Sequence, residues 1–141
     1  MANKLVMVSG GFDPLHVGHL RMFQEASKLG DLVVVLNSDA WLMRKKGFIF
    51  MPFEERAELI AAYDFVRSVE PVDDTDGSVC EALRRVRPNI FANGGDRFAD
   101  NIPEKAVCEE LGIETVFNVG GGKVQSSSEM VKKAKNENSV N

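Results

Sequence analysis

The two histidines of the chain lie three residues apart, in a setting suited to phosphate chemistry. His16 and His19 are the only histidines among 141 residues. They follow an apolar run, Leu5 to Val8, and a glycine-containing loop, and they precede a segment with the pattern of a helix. Side chains at this spacing share one helix face, and the N–H groups at a helix N-terminus attract anions. The sequence therefore predicts a phosphate site with two imidazole donors.

A zinc site is an alternative use of the same two histidines. His-x-x-His at helical spacing binds zinc only when a third ligand is present. Cys80 and Cys108 are remote in sequence, and Asp13 would serve only with unusual geometry. We therefore expect no metal held by the protein itself. The two cysteines are expected to be small core residues on helices, unpaired in a reducing compartment.

Composition excludes several classes of partner. The formal net charge is −4, so a broad basic surface for nucleic acid is missing. No apolar run approaches the roughly 20 residues that span a bilayer, and the first residues lack the pattern of a signal peptide. We expect a cytoplasmic protein that binds neither nucleic acid nor membrane.

Strand-like and helix-like segments alternate along the chain. Strands are predicted at Leu5–Val8, Leu32–Leu36, Val66–Val69, Asn89–Ala92 and Glu114–Phe117. Helices are predicted from the histidines to about Leu29, from Pro52 or Phe53 to Tyr63, from about Ser78 to Val86 with Asp76 as cap, from Pro103 to Leu111, and from the Ser126–Glu129 stretch onward. The segment Asn37–Met51 is interpreted as a loop with one helical turn.

This alternation favours an α/β fold, a Rossmann-like three-layer sandwich with a five-stranded parallel sheet and helices on both faces. We expect a single domain over residues 1–135 and a disordered polar tail over 136–141. Ligands of such sheets bind beyond the carboxyl ends of the strands, at the switch point. The loops expected there are Gly10–Gly11, Asn93–Arg97 and Gly120–Ser128.

The stretch from Gly11 to His19 resembles the Gly-x-Phe-Asp-x-x-His-x-Gly-His motif of the cytidylyltransferase-like nucleotidyltransferases. Similar in size and layout are glycerol-3-phosphate cytidylyltransferases and the nucleotidylyl domain of ADP-heptose synthases. Many family members of this size are homodimers, so the resemblance implies a homodimer here.

Further stretches resemble the same family in the same order. They are Asn37-Ser38-Asp39, the basic Arg44-Lys45-Lys46-Gly47 with the family's mobile lysine, the helix arginine Arg56, Asn93-Gly94-Gly95-Asp96, and Ser126-Ser127-Ser128. The resemblance implies that the catalytic residues are His16, His19, Lys45 and Lys46. The implied nucleotide-binding residues are Gly10, Gly11, Phe12, Asp13, Gly18, Arg56, Asn93, Gly94, Asp96, Lys123, Ser126, Ser127 and Ser128. The predicted acceptor-binding residues are Asp39, Trp41 and Arg97.

One departure from the family concerns the loop before the last predicted helix. Cytidylyltransferases carry an Arg-Thr-Glu-Gly-like stretch before the serine cluster, whereas this chain has Gly120-Gly121-Gly122-Lys123-Val124-Gln125. Lys123 is the candidate replacement for the family arginine.

The expected chemistry requires no general base. A phosphate monoester has its second pKa near 6, so at neutral pH it is already a dianion and a competent nucleophile. The reaction needs two anions to be positioned and the charge on the α-phosphate and the leaving pyrophosphate to be stabilised. We expect Mg²⁺ to be bound through the nucleoside triphosphate.

The sequence thus predicts nucleotidyl transfer from CTP to a small sugar or polyol phosphate, such as glycerol 3-phosphate, with release of pyrophosphate. An ATP-dependent adenylyltransferase acting on a heptose phosphate or another sugar phosphate is the alternative within this class. A non-catalytic nucleotide-binding module and a metal-dependent hydrolase are the alternatives from other classes.

Overall fold

The computed structural model of the chain describes residues 4–94 and 102–119. Its strands are β1 (Leu5–Gly10), β2 (Asp31–Leu36), β3 (Val66–Pro71), β4 (Ile90–Gly94) and β5 (Glu114–Val119). Its helices are α1 (Val17–Ser27), α2 (Asp39–Lys46), α3 (Phe53–Ala61), α4 (Cys80–Val86) and α5 (Ile102–Leu111).

The strands form one parallel sheet in the order β3-β2-β1-β4-β5, which confirms the predicted α/β fold. Strand β1 lies at the centre, with β2 on one side and β4 on the other. The chain leaves β1 toward β2 and β3 and then crosses back to β4. The switch point therefore lies at the carboxyl ends of β1 and β4, where Gly10 and Gly94 end their strands.

Side-chain alternation along the central strands divides the core into two layers. Val6 and Val8 of β1 pack on one face of the sheet, together with Phe23 of α1 and Ile60 of α3. The opposite face holds Met7, between Val6 and Val8 in sequence, packed with residues of α4 and α5 that include Ala82, Leu83, Val107 and Cys108. This arrangement buries β1 and β2 on both faces, which explains their continuous apolar sequences.

Helix α2 differs from the loop predicted over Asn37–Met51. The Ser38 hydroxyl accepts the N–H of Trp41 and caps a two-turn helix, which ends at Gly47 in the left-handed conformation with φ of 81°. Three basic residues fill its last turn and interact favourably with the helix dipole. The start and stop signals outweigh the weak apolar periodicity of the segment, so the prediction of a loop was wrong.

The start of α4 also differs from the prediction. Asp76 accepts the backbone N–H and the hydroxyl of Ser78, so it closes a turn before the helix and does not cap it. Helix α4 begins at Cys80, two residues after the predicted start at Ser78. Its N-cap residue is Val79, whose N–H is accepted by Glu104 of α5. Within residues 4–94 and 102–119, no helix is long and apolar enough to cross a membrane.

Candidate active site

The two histidines cap the helix on which they lie. His16 is the N-cap of α1, with extended backbone, and its Nδ1 accepts the N–H of Gly18 at 3.0 Å. His19 lies in the first turn, and its Nδ1 accepts the N–H of His16 at 3.2 Å. The pair forms a capping box in which imidazoles replace the usual hydroxyl and carboxylate. Both rings are thereby fixed at the switch point, directly after the loop that follows β1.

These hydrogen bonds also fix the tautomers of the two rings. A nitrogen that accepts an N–H cannot carry a proton, so in each neutral imidazole the proton lies on Nε2. The rings stack with centroids 3.8 Å apart, a geometry that disfavours charge on both. Burial, and next the charge of neighbouring His16, lower the pKa of His19 to about 3. At neutral pH His19 is therefore an uncharged Nε2–H donor.

The glycine loop between β1 and the histidines is packed by protein side chains. A Cβ at Gly11 would lie 2.8 Å from a methyl of Leu42 and 3.3 Å from the Trp41 ring, so this glycine allows α2 to approach the loop. A Cβ at Gly10 would lie 3.0 Å from the Phe12 ring. The backbone N–H of Gly18 is engaged by His16. Direct nucleotide contacts of these glycines stay a prediction.

Asp13 is a buried carboxylate that fastens the segment after α2 to the histidine loop. Its Oδ2 accepts the N–H of Phe50 at 2.9 Å, and its Oδ1 accepts the N–H of Met51 at 2.7 Å. Lys46 Nζ lies 3.3 Å from Oδ2 and also donates to the Asp13 carbonyl. Asp13 therefore holds one of the two predicted catalytic lysines within reach of the histidine loop.

Lys45 and Lys46 have different surroundings. The side chain of Lys46 is only 14% exposed, and its ammonium lies 5.3 Å from the ring centroid of Phe48. Lys45 is exposed, and its ammonium lies 4.7 Å from the ring centroid of Trp41. Trp41 also donates its indole N–H to the Gly77 carbonyl at 3.4 Å. Trp41 thus links Lys45 to the loop after β3, and its predicted acceptor contact is untested.

Arg56 is the largest fully buried side chain of the described residues, and its partners belong to the protein. Its guanidinium donates to the carbonyls of Gly11, Asn37 and Met51 at 2.7–3.0 Å. It also pairs with Asp39 at 2.7 Å. Arg56 therefore does not extend into an open cleft. Its hydrogen bonds instead join segments at the carboxyl edge of the sheet. Nucleotide contact by Arg56 and acceptor contact by Asp39 stay predictions, while the geometry gives both a positioning role.

Asp74 is a site-supporting residue that sequence reasoning missed. It follows β3, and its carboxylate accepts the N–H and hydroxyl of Ser38 at 2.8 and 2.7 Å and the amide of Asn37 at 3.1 Å. Arg44 donates to its carbonyl. Burial raises the pKa of Asp74, but the hydrogen bonds from Ser38 and Asn37 outweigh it and hold the pKa below the usual range. Its place shortly after β3, in a stretch where three of the four residues 73–76 are aspartates, was the available signal.

The cysteines offer no nucleophile for this site. Both thiols are free, with Cys80 on α4 and Cys108 on α5. Burial raises the pKa of both, to about 11 for Cys108, so the thiolate is scarce at neutral pH. No group of three or more metal-ligating side chains occurs among the residues that the structure describes.

Comparison with known proteins assigns the family. Residues 7–139 match the cytidylyltransferase-like family. The chain belongs to this family. It is 38% identical over 140 residues to the bifunctional protein HldE of Geobacter sulfurreducens, covering 95% of this chain and 28% of that protein. It is also 38% identical over 109 residues to the FAD synthase of Thermococcus kodakarensis, covering 75% of this chain and 67% of that enzyme.

A solved structure of similar fold is the lipopolysaccharide core biosynthesis protein from Thermoplasma volcanium. Its TM-score is 0.68 at 30% identity, with 82% of this chain and 94% of that chain covered. The chain spans about a quarter of the length of the HldE relatives that it matches. Family and fold thus agree with the resemblance that the histidine motif indicated.

Several predicted residues of this cytidylyltransferase-like chain lie outside the described residues. Of the β4 loop, Asn93 is buried and Gly94 ends the strand at the switch point. Asp96, Arg97, Lys123, Ser126, Ser127 and Ser128 fall beyond the ranges that the structure describes. Their predicted contacts with nucleotide or acceptor are therefore untested.

Proposed function

We propose that this chain transfers an adenylyl group from ATP to a phosphate monoester of a sugar or sugar-like alcohol, with release of pyrophosphate. The observation that carries the proposal is the pair of stacked imidazoles at the N-terminus of α1, both with Nδ1 engaged by backbone N–H groups. Two Nε2–H donors and a helix N-terminus at the switch point form a receptor for phosphate oxygens.

The geometry suits transfer by direct displacement. An oxygen of the acceptor phosphate dianion attacks the α-phosphorus, and the bond from that phosphorus to the oxygen bridging toward the β-phosphate breaks. The leaving pyrophosphate takes the bond's electron pair. Negative charge moves onto oxygens that donors at the helix N-terminus can stabilise, and no base is needed to activate the nucleophile.

The two lysines on α2 would supply the positive charge. Lys46 lies beside Asp13 at the histidine loop, and exposed Lys45 lies on the same helix, one residue away. Their ammonium groups would neutralise charge on the β- and γ-phosphates as the bond breaks. Binding of the triphosphate would recruit one or both of them.

Mg²⁺ fits this site as a companion of the nucleotide. Among the described residues at this edge of the sheet, the carboxylates of Asp13, Asp39 and Asp74 already accept protein hydrogen bonds, so a metal would be held chiefly by phosphate oxygens and water. When bound there, Mg²⁺ would neutralise the charge of the triphosphate. The chain's own residues would position the nucleotide around it.

The comparisons favour ATP over the CTP predicted from the sequence. HldE proteins are ADP-heptose synthases, and FAD is a dinucleotide that contains adenine. Both relatives support the adenylyl alternative and a phosphorylated polyol or sugar as acceptor. Riboflavin 5′-phosphate is the second acceptor candidate, since the FAD synthase match spans two thirds of that enzyme.

A substrate matrix tests the proposal. Each of ATP and CTP is combined with heptose, pentose, glycerol and riboflavin phosphates, and pyrophosphate release is measured. The variants His16→Asn and His19→Gln keep capping-box acceptors at both positions but lose the imidazoles. Arg21→Ala, an exposed change on the same helix, is the matched control.

The proposal predicts turnover with ATP and one class of acceptor, a loss of roughly 100-fold or more in each histidine variant, and full activity in the control. Turnover with CTP alone would overturn the choice of base. Unchanged activity in both histidine variants would overturn the assigned site. Tight ATP binding without turnover for any acceptor would favour a non-catalytic nucleotide-binding module.

A further inference from the structure

We propose that Phe12 is a positioning residue for His19. Its ring, turned inward by a left-handed backbone after β1, supports the imidazole in the orientation that presents Nε2–H to the triphosphate. The catalytic consequence rests on the proposed function, whereas the contact between the two rings stands independently of it.

The backbone of Phe12 adopts a conformation that its residue type disfavours. Its φ is +51°, in the left-handed region where glycine is the usual residue, and it directly follows Gly10 and Gly11. A non-glycine residue stays in this region only when surrounding contacts determine it, and such positions cluster at functional sites. The contacts of the Phe12 ring act here together with the hydrogen bonds that anchor its neighbours Gly11 and Asp13.

Three neighbours fix the Phe12 ring. It meets His19 edge-to-face, with centroids 4.9 Å apart and an interplanar angle of 81°. It meets Phe23 of α1 in the same manner, at 5.0 Å and 77°. Its outer edge lies so close to Gly10 that a Cβ there would approach within 3.0 Å. Edge-to-face contacts are the favoured geometry for aromatic pairs and define ring orientation.

His19 is thus enclosed by two rings and one hydrogen bond. Phe12 packs against it edge-to-face, His16 stacks on it at 3.8 Å, and the His16 N–H holds its Nδ1. A phenyl ring carries no conventional hydrogen-bonding group, so it excludes water and competes little for Nε2. This enclosure agrees with the lowering of the His19 pKa to about 3, whose first cause is burial.

A purely structural role is the competing explanation, because Phe12 also belongs to the core layer that contains Phe23. The two explanations differ in what happens to His19. Loss of a core phenyl elsewhere lowers stability and leaves His19 unchanged. Loss of Phe12 frees the imidazole to rotate and to be solvated.

The test compares Phe12→Leu with Phe91→Leu, a buried phenylalanine in the core layer on the other face of the sheet. Phe12→Met, which keeps more of the volume, serves if the leucine variant does not fold. With only two histidines in the chain, long-range ¹H–¹⁵N spectra resolve four ring nitrogens, and His16→Asn assigns them. Thermal unfolding, pH titration of His19 and steady-state kinetics are measured for each variant.

Phe12 variants are expected to raise the pKa of His19 by more than about one unit and to mix its tautomers. They should lower kcat roughly 10- to 100-fold, with KM changed less than roughly threefold. Phe91→Leu should lower the unfolding temperature and leave the His19 signals in place. Unaltered His19 signals in the Phe12 variants, or an equal shift in Phe91→Leu, would overturn the proposal. Since the spectra need no turnover, this result is independent of whether the proposed reaction is found.

Discussion

The carboxylate of Asp13 and the ammonium of Lys46 form an ion pair at 3.3 Å in which the Asp13 side chain is fully buried. The same carboxylate accepts two backbone N–H groups from the segment between α2 and α3. This pair joins the loop that precedes the histidines to the helix that carries the predicted catalytic lysines. This carboxylate therefore helps to fix the position of the histidines relative to the lysines, together with Arg56, which joins Gly11 to Asp39 of α2.

Asp13→Asn should destabilise the fold and impair turnover. The asparagine amide keeps one oxygen acceptor but loses the negative charge that pairs with Lys46. Its NH₂ group would face an N–H donor that the carboxylate oxygen had accepted. We expect a loss of about 2–4 kcal/mol in the free energy of unfolding, measured by denaturant titration. Glu25→Gln, which removes an exposed partner of Lys28, should change stability little. Equal stability of the two variants would contradict the fastening role of Asp13.

The two lysines should respond differently to removal of their charge. Lys46→Met leaves the buried Asp13 carboxylate without its cation, so both stability and activity should fall. Lys45→Met removes an exposed ammonium, so the unfolding temperature should stay unchanged. Its kcat/KM should nevertheless fall roughly 10- to 100-fold. Calorimetry and pyrophosphate release separate the two outcomes. Full activity of Lys45→Met would restrict the catalytic role to Lys46.

The architecture and the principal motif were predictable from the sequence because both arise from local signals. Alternating apolar strands and helices determine a parallel sheet, and its switch point places the loop after β1 at the site. Helix α2 was predictable as well, since Ser38 and Gly47 mark its ends, but the basic centre Arg44–Gly47 was interpreted as part of a loop.

The partners of the buried polar residues were not predictable in the same way. Arg56 contacts carbonyls from 5 to 45 residues away, and Asp74 contacts residues 36 and 37 positions earlier. Such bonds are set by how the strand ends are arranged in three dimensions, which residue types and spacing do not encode. The sequence predicted Arg56 as a site residue and missed Asp74, and the structure shows that both are bonded to the segment that follows β2.

Arg56→Lys should destabilise the site although it keeps the charge. A lysine ammonium lacks the planar fork that serves three carbonyls and Asp39 at once. We expect a loss of about 3 kcal/mol or more in unfolding free energy, along with weaker nucleotide binding, measured by denaturant titration and calorimetry. Arg21→Lys on the exposed face of α1 is the matched control. Wild-type stability with reduced nucleotide affinity would instead point to direct contact between Arg56 and the nucleotide.

Asp74→Asn should loosen the start of α2. The carboxylate accepts three hydrogen bonds, two of them from Ser38, whose hydroxyl caps the helix. The amide variant can accept fewer, so we expect about 1–3 kcal/mol of lost stability and a raised KM for nucleotide. Hydrogen exchange of α2 amides measures the local effect. Asp73→Asn, an exposed neighbour, should leave α2 protected, and equal exchange in both variants would contradict the role of Asp74.

Stability should fall as the pH drops below neutrality, with His19 as one cause. Its pKa is about 3 in the folded chain against 6.5 when unfolded, so between these values the unfolded state binds more protons. The stabilisation is complete above pH 6.5 and is lost progressively toward pH 3. Between pH 7 and pH 5, the titration of His19 alone should lower the free energy of unfolding by about 2 kcal/mol. This pH range lies above the titration of Asp74.

Denaturant titrations at pH 7 and pH 5 should show a smaller loss of stability for His19→Gln. This variant keeps an acceptor for the His16 N–H but has no group that titrates at position 19. Equal losses in the two proteins would mean that folding does not lower the pKa of His19, and that the uncharged imidazole assigned to the folded state at pH 5 is wrong.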